Sequence, residues 1–216
     1  MDVLEHTRGE SSGESAQFEA VVRGLGTARA LVVFLRSRAE GRLTSLEEYI
    51  AAGLEVRGFA TVHVNLLSKQ EQEADDRTGC HHLDREFHRT RAAAVLEWVG
   101  SDPALRELPL GIFADGAAAT AALEAAAAFP GQVRAIVCLD GRVDLAEPDY
   151  GGIRADTLLL VAEGNTHIAD LNRTAQLHIA GARLELVPHA THHYDDTRAV
   201  THVAWRTVEW FSTLCA

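Results

Sequence analysis

Short, unbroken apolar runs alternate with stretches of helical periodicity through nearly the whole chain, and this alternation limits the fold more than any other feature. The string Ala30-Leu31-Val32-Val33-Phe34-Leu35 carries no polar residue, as a strand covered on both faces requires. Residues 59–67, 108–113, 133–139, 157–162 and 184–187 also read as strands, and residues 18–22 suit an edge strand. Helices are predicted over 44–54, 83–99, 116–129, 168–179 and 197–214. Asp102-Pro103 closes the second of them, because the residue before a proline avoids helical backbone. Residues 68–82 read as a charged loop. Strands alternating with helices call for an α/β fold: a mostly parallel twisted sheet with helices on both faces. Right-handed crossovers then gather the strand-to-helix loops at one edge, where ligands bind in such sheets. The expected layout is a flexible, Glu-, Ser- and Gly-rich arm or a poorly ordered hairpin over 1–16 and one α/β domain over 17–216, with no second domain.

Composition excludes several partners. The net charge of -11 argues against nucleic acid and against an anionic membrane surface, both of which attract a basic face. No window approaches the roughly 18 apolar residues of a membrane span. No Lys/Arg-led apolar leader follows Met1. The 3 cysteines, Cys80, Cys138 and Cys215, are odd in number and widely spaced, so free thiols in a reducing cytoplasm are expected. A homodimer through the Trp205- and Trp210-bearing final helix is a candidate assembly.

The most informative stretch is Leu108-Pro109-Leu110-Gly111-Ile112-Phe113-Ala114-Asp115-Gly116-Ala117-Ala118-Ala119-Thr120, followed by a run rich in Ala, Leu and Glu. A buried strand, a sharp turn of small residues and a packed helix are predicted there. The residue at the apex of the turn is Gly116, which offers no side chain for chemistry.

The order of the elements and several strings resemble the dienelactone hydrolase-like branch of the α/β-hydrolases. These strings are Asp76-Arg77-Thr78-Gly79, Leu108-Pro109-Leu110-Gly111-Ile112-Phe113, Gly141-Arg142-Val143-Asp144-Leu145, Asp156-Thr157-Leu158-Leu159-Leu160-Val161 and Val187-Pro188-His189-Ala190-Thr191-His192. The resemblance covers about residues 18 to 215. It implies a minimal α/β-hydrolase fold without a separate lid domain and without a cofactor. It also implies site positions. The family's Ser or Cys nucleophile falls on Gly116, between the small flanks Ala114 and Ala118. Its acid falls on Asn165, and its histidine on His192. The His-Gly pair that helps to build the oxyanion hole falls on Arg36-Ser37. Only the base survives. Asp115 is a poor replacement nucleophile, because centring the turn on it makes Phe113 a flank. Asp140 and Glu163 are alternative acids, and Asn165 can equally cap the helix that follows it.

These departures decide the expected chemistry. Gly116 keeps the turn and removes the nucleophile. Asn165 cannot stabilise an imidazolium by charge, a change that costs about 10⁴ in turnover in serine proteases. An acyl-enzyme route is therefore not expected. The Ala117 N–H at the helix start still offers an oxyanion hole, and Arg36 or Arg38 can add charge to it. With His192 as acid and base, such a site can abstract a proton beside a carbonyl of a small substrate and hold the enolate. Isomerisation, dehydration, aldol or cyclisation chemistry would follow. Hydrolysis by water that His192 activates directly is an alternative, and a non-catalytic ligand- or partner-binding protein is another. His81, His82, His193 and Asp115 are pocket candidates. The two histidine-rich loops match no metal-motif spacing, so no metal is assigned.

Overall fold

The computed structural model describes residues 5–10, 17–37, 45–79, 84–190, 194 and 196–215. Eight strands form one sheet: β1 (Glu5–Glu10), β2 (Gln17–Arg23), β3 (Ala30–Arg36), β4 (Phe59–Asn65), β5 (Leu110–Asp115), β6 (Val133–Leu139), β7 (Asp156–Ala162) and β8 (Arg183–Val187). Their spatial order is β1-β2-β4-β3-β5-β6-β7-β8. β1 and β2 run antiparallel to their neighbours, and every pairing from β4 to β8 is parallel. Six α-helices accompany them: α1 (Ser45–Val56), α2 (Lys69–Thr78), α3 (Arg85–Ser101), α4 (Gly116–Ala128), α5 (Thr166–His178) and α6 (Thr197–Ser212).

The unbroken apolar strings are explained by a core on each face. In β3, Leu31, Val33 and Leu35 join the core formed with residues of α3 and α4. Ala30, Val32 and Phe34 join the core formed with α1 and α6. All six are fully buried, which makes β3 the middle of the molecule. Alanine dominates α4, and nine of its 13 residues are buried. Its small side chains let the helix lie close to the sheet, so its first turn is placed by backbone contacts more than by interlocking side chains.

Three expectations are corrected. Residues 5–10 pair with β2 from Glu5↔Val22 to Glu10↔Gln17, the hairpin rather than the loose arm, so β2 is not the edge strand. The charged loop at 68–82 contains α2. That helix lacks an apolar stripe and is set by its N-terminus instead: Ser68 and Glu71 form a reciprocal capping box, with the Glu71 carboxylate accepting from the Ser68 N–H at 2.7 Å. The same carboxylate accepts from Arg91 of α3 at 2.6 Å. Third, the sequence puts Trp205 and Trp210 on or near the packing face of the final helix, but α6 turns Trp205 outward, at 55% exposure, and only Trp210 packs against the core.

Candidate functional site

The parallel strands deliver the ends of β3, β5, β6 and β7 and the loop after β8 to one edge. At its centre the chain leaves β5 in extended conformation at Asp115 (φ -119°, ψ 158°) and turns at Gly116, with φ +49°. The next residues are already helical. A Cβ built at Gly116 meets nothing within 4 Å. The turn thus has the left-handed backbone that disfavours a side chain and the open space that would hold one. Ala114 and Ala118 on either side are fully buried. Ala117 is half-buried in the first turn of α4, where N–H groups have no acceptor within their own helix.

The turn is fixed from the β6 side. The Arg142 N–H donates to the Gly116 carbonyl at 3.4 Å, and the Thr120 hydroxyl donates to the Arg142 carbonyl at 2.8 Å. Asn172 of α5, fully buried, donates to the Gly141 carbonyl at 3.0 Å. A Cβ on Gly141 would lie 2.5 Å from the Ala119 Cβ and 3.1 Å from Val143. Neither obstacle is a flexible side-chain tip, so Gly141→Ala must push α4 away from β6. We expect a loss of about 1–3 kcal/mol, read in a thermal melt as a fall of roughly 3–10 °C. An unchanged melting temperature would show that α4 shifts freely.

The remaining site residues divide into three groups. Arg36 ends β3, buried, with its Nε 3.4 Å from the Glu47 carboxylate of α1. Its charge is met there by an acid on the α1 side of the sheet. Asn165 precedes α5 (φ -97°, ψ 68°) but makes no side-chain cap, so the capping role is not observed. Asp115 is exposed and makes no side-chain cap to α4 either. Arg38, Cys80, His81, His82, His192, His193 and Asp195 lie outside the described residues.

Two residues gain prominence. Asp140, the first residue after β6, has φ +46°, and its Oδ1 accepts from the Ala162 N–H at 2.9 Å. Tyr194, in the loop between β8 and α6, has φ +51°. Its hydroxyl is buried facing the Asp140 carboxylate. Burial first, and then the charge of Asp140, hold the phenol neutral well above its usual range. Glu163, by contrast, is exposed in its turn. Asp140 is visible in the sequence as an Asp-Gly turn after a strand. Nothing in the sequence marks Tyr194.

Two open cavities occur elsewhere. One, of about 470 Å³, lies at the opposite sheet edge among Asp156, Gly181, Arg183, Arg206, Glu209 and Trp210. The other, of about 410 Å³, lies along α6 beside Arg198, His202 and Trp205. Neither reaches Gly116. Among the described residues no group of three or more His, Cys, Asp or Glu side chains is placed to hold a metal ion, and no helix is long and apolar enough to cross a membrane.

No family model matches the chain. Two Mycobacterium tuberculosis proteins, each named as a candidate phosphoribosyl transferase, are 35% identical over 184 residues. The match takes in 85% of this chain but only 41% of their length. Among solved structures, the dienelactone hydrolase of Anabaena variabilis superposes with a TM-score of 0.88 at 28% identity, over 97% of this chain and 98% of that one. A dienelactone hydrolase-like promiscuous phosphotriesterase from metagenomic libraries gives a TM-score of 0.69 at 16% identity, over 99% of each chain. The chain has the α/β-hydrolase fold in its dienelactone hydrolase-like form, and its neighbours in that fold are hydrolases.

Proposed function

We propose that the chain is an atypical α/β-hydrolase-fold enzyme that works without a nucleophile at the elbow. The observation that carries this reading is Gly116: the left-handed turn and the open space above it are kept, and the side chain is absent. The proposed reaction is proton transfer beside the carbonyl of a small or lactone-like substrate. His192 is the acid and base, and the Ala117 N–H stabilises the enolate oxygen. A helix N-terminus suits that oxygen, because its free N–H groups and partial positive charge favour an anion. Arg36 is a weaker contributor than the family pattern implies, since Glu47 already answers its charge. This chemistry needs no cofactor. The transferase name belongs to proteins of which the chain spans 41%, and we assign none of it here.

A second reading is hydrolysis by water that His192 activates, and the hydrolase neighbours favour it. One experiment separates the readings. Small lactones and 1,3-dicarbonyl compounds are incubated in D₂O with wild type and with His192→Ala, and exchange at the carbon beside the carbonyl is followed by NMR. Exchange without ring opening, reduced about 10²-fold or more by His192→Ala, is the expected result. Ring opening alone supports the hydrolytic route. Exchange equal to buffer for every compound leaves a binding protein as the better description.

A further inference from the structure

Trp98 and Trp210 pack against the two cores, while Trp205 stands exposed on the outer face of α6. Its ring is nevertheless held. The Arg206 guanidinium lies over it, 5.3 Å from its centre, and Glu185 of β8 accepts from the Nε of that guanidinium at 2.6 Å. One face of the indole is thus covered and the other is presented. Beside it, towards the start of the helix, runs the open groove of about 410 Å³ lined by Thr197, Arg198, Thr201 and His202. Arg198, His202, Trp205 and Glu209 follow one another along α6 at steps of four, three and four, so they form one stripe.

The stripe is self-complementary. Arg198 and Glu209 lie equally far from the point midway between Val203 and Ala204, and so do His202 and Trp205. A second copy turned about a two-fold axis through that point sets the two α6 helices antiparallel. Arg198 then meets the Glu209 of the second copy, and Trp205 meets its His202, where the groove receives the indole. Each contact occurs twice, as a closed two-fold pairing requires. Arg198 uses Nε and Nη2 on Asp196, and a guanidinium has five N–H donors, so it can serve a second carboxylate. Glu209 takes Arg206 on Oε2, one of its two oxygens. We propose that the outer face of α6 is the surface through which two copies of this chain pair, with each Trp205 seated in the groove of the other. Tryptophan and arginine are the residues that carry most energy in such surfaces. A stripe about 16 Å long makes a pairing whose extent depends on protein concentration.

Sedimentation velocity of the full chain over a range of concentrations tests the pairing. Wild type is expected to pass from monomer to dimer as the concentration rises. Trp205→Lys is expected to weaken the dimer at least about 10²-fold, since the change falls twice in one interface. Charge tests the register. Arg198→Glu brings carboxylates together at both ends of the stripe, and Glu209→Arg brings guanidinium groups together. Each variant alone is expected to dimerise at least about tenfold more weakly than wild type. Mixed, the two variants complement each other at both ends, and native mass spectrometry is expected to show a mixed dimer in excess of either parent dimer. The three substituted positions are exposed, so folding is not at stake. A mixture that pairs no better than its parents overturns the register. A wild type that stays monomeric at every concentration overturns the proposal. A dimer that Trp205→Lys leaves intact does so too, and would place the contact on another face, such as the open edge of β8.

Discussion

Gly116→Ser is expected to give the chain what it lacks, covalent labelling by a fluorophosphonate probe and hydrolysis of p-nitrophenyl acetate at least about 10²-fold above wild type. The space is present, since a Cβ at this position meets nothing within 4 Å. The backbone is the obstacle. A serine held at φ +49° costs about 1–3 kcal/mol, which a domain of ordinary stability, about 5–15 kcal/mol, can carry. What the serine finds is a helix N-terminus for the oxyanion and, on our reading, His192 as base. Asn165→Asp added to Gly116→Ser restores charge at the position where the family carries its acid and is expected to raise the rate further; such a charge is worth about 10⁴ in serine proteases. No gain from Asn165→Asp would mean that the end of β7 does not carry the acid. No labelling in either variant would mean that the turn is not an elbow.

Acid is expected to destabilise the chain through His63. This residue of β4 is buried, its ring stacked on Phe34 at 4.4 Å, with Nε2 3.2 Å from the Thr61 hydroxyl. Burial first, then the charges of Arg23 and Arg36, push its pKa down to about 3. The unfolded chain takes up this proton near pH 6.5 and the folded chain does not. Stability contributed by the neutral ring is therefore complete above about pH 6.5 and is lost as the pH falls towards 3. Each pH unit in that window costs up to about 1.4 kcal/mol. His63→Gln is expected to be less stable at pH 7 but to lose less on acidification. In urea unfolding, its gap to wild type should narrow by about 2 kcal/mol between pH 7 and pH 4.5. Carboxylates titrate in both proteins and cancel. Parallel stability curves would show that His63 takes up its proton while folded.

Much of this architecture is legible from residues alone, for a physical reason. The strings that became β3, β6 and β7 are largely apolar on both faces, so their limits fall within a residue or two of the predicted ones. The β5–α4 turn is equally plain, because only small residues fit it. α2 is hidden by its polarity, although Ser68 and Glu71 announce its start. β1 is hidden because backbone pairing, not an apolar face, adds it to the sheet. The left-handed backbone at Asp140, His189 and Tyr194 is hidden as well, because no apolar pattern marks it. The resemblance to dienelactone hydrolases correctly gave the fold. It directed attention to residue 165, which makes no side-chain cap to α5.

The backbone of Gly116 also sets a direction for the history of such a site. A side chain at φ +49° strains the turn, and glycine relaxes it. Substitution towards glycine here is downhill in stability, and the return is uphill by about 1–3 kcal/mol. Selection for a stable fold alone keeps the position empty, and only selection for a reaction can hold a side chain in it. The turn behaves as a ratchet: chemistry leaves it easily, and comes back only against the strain.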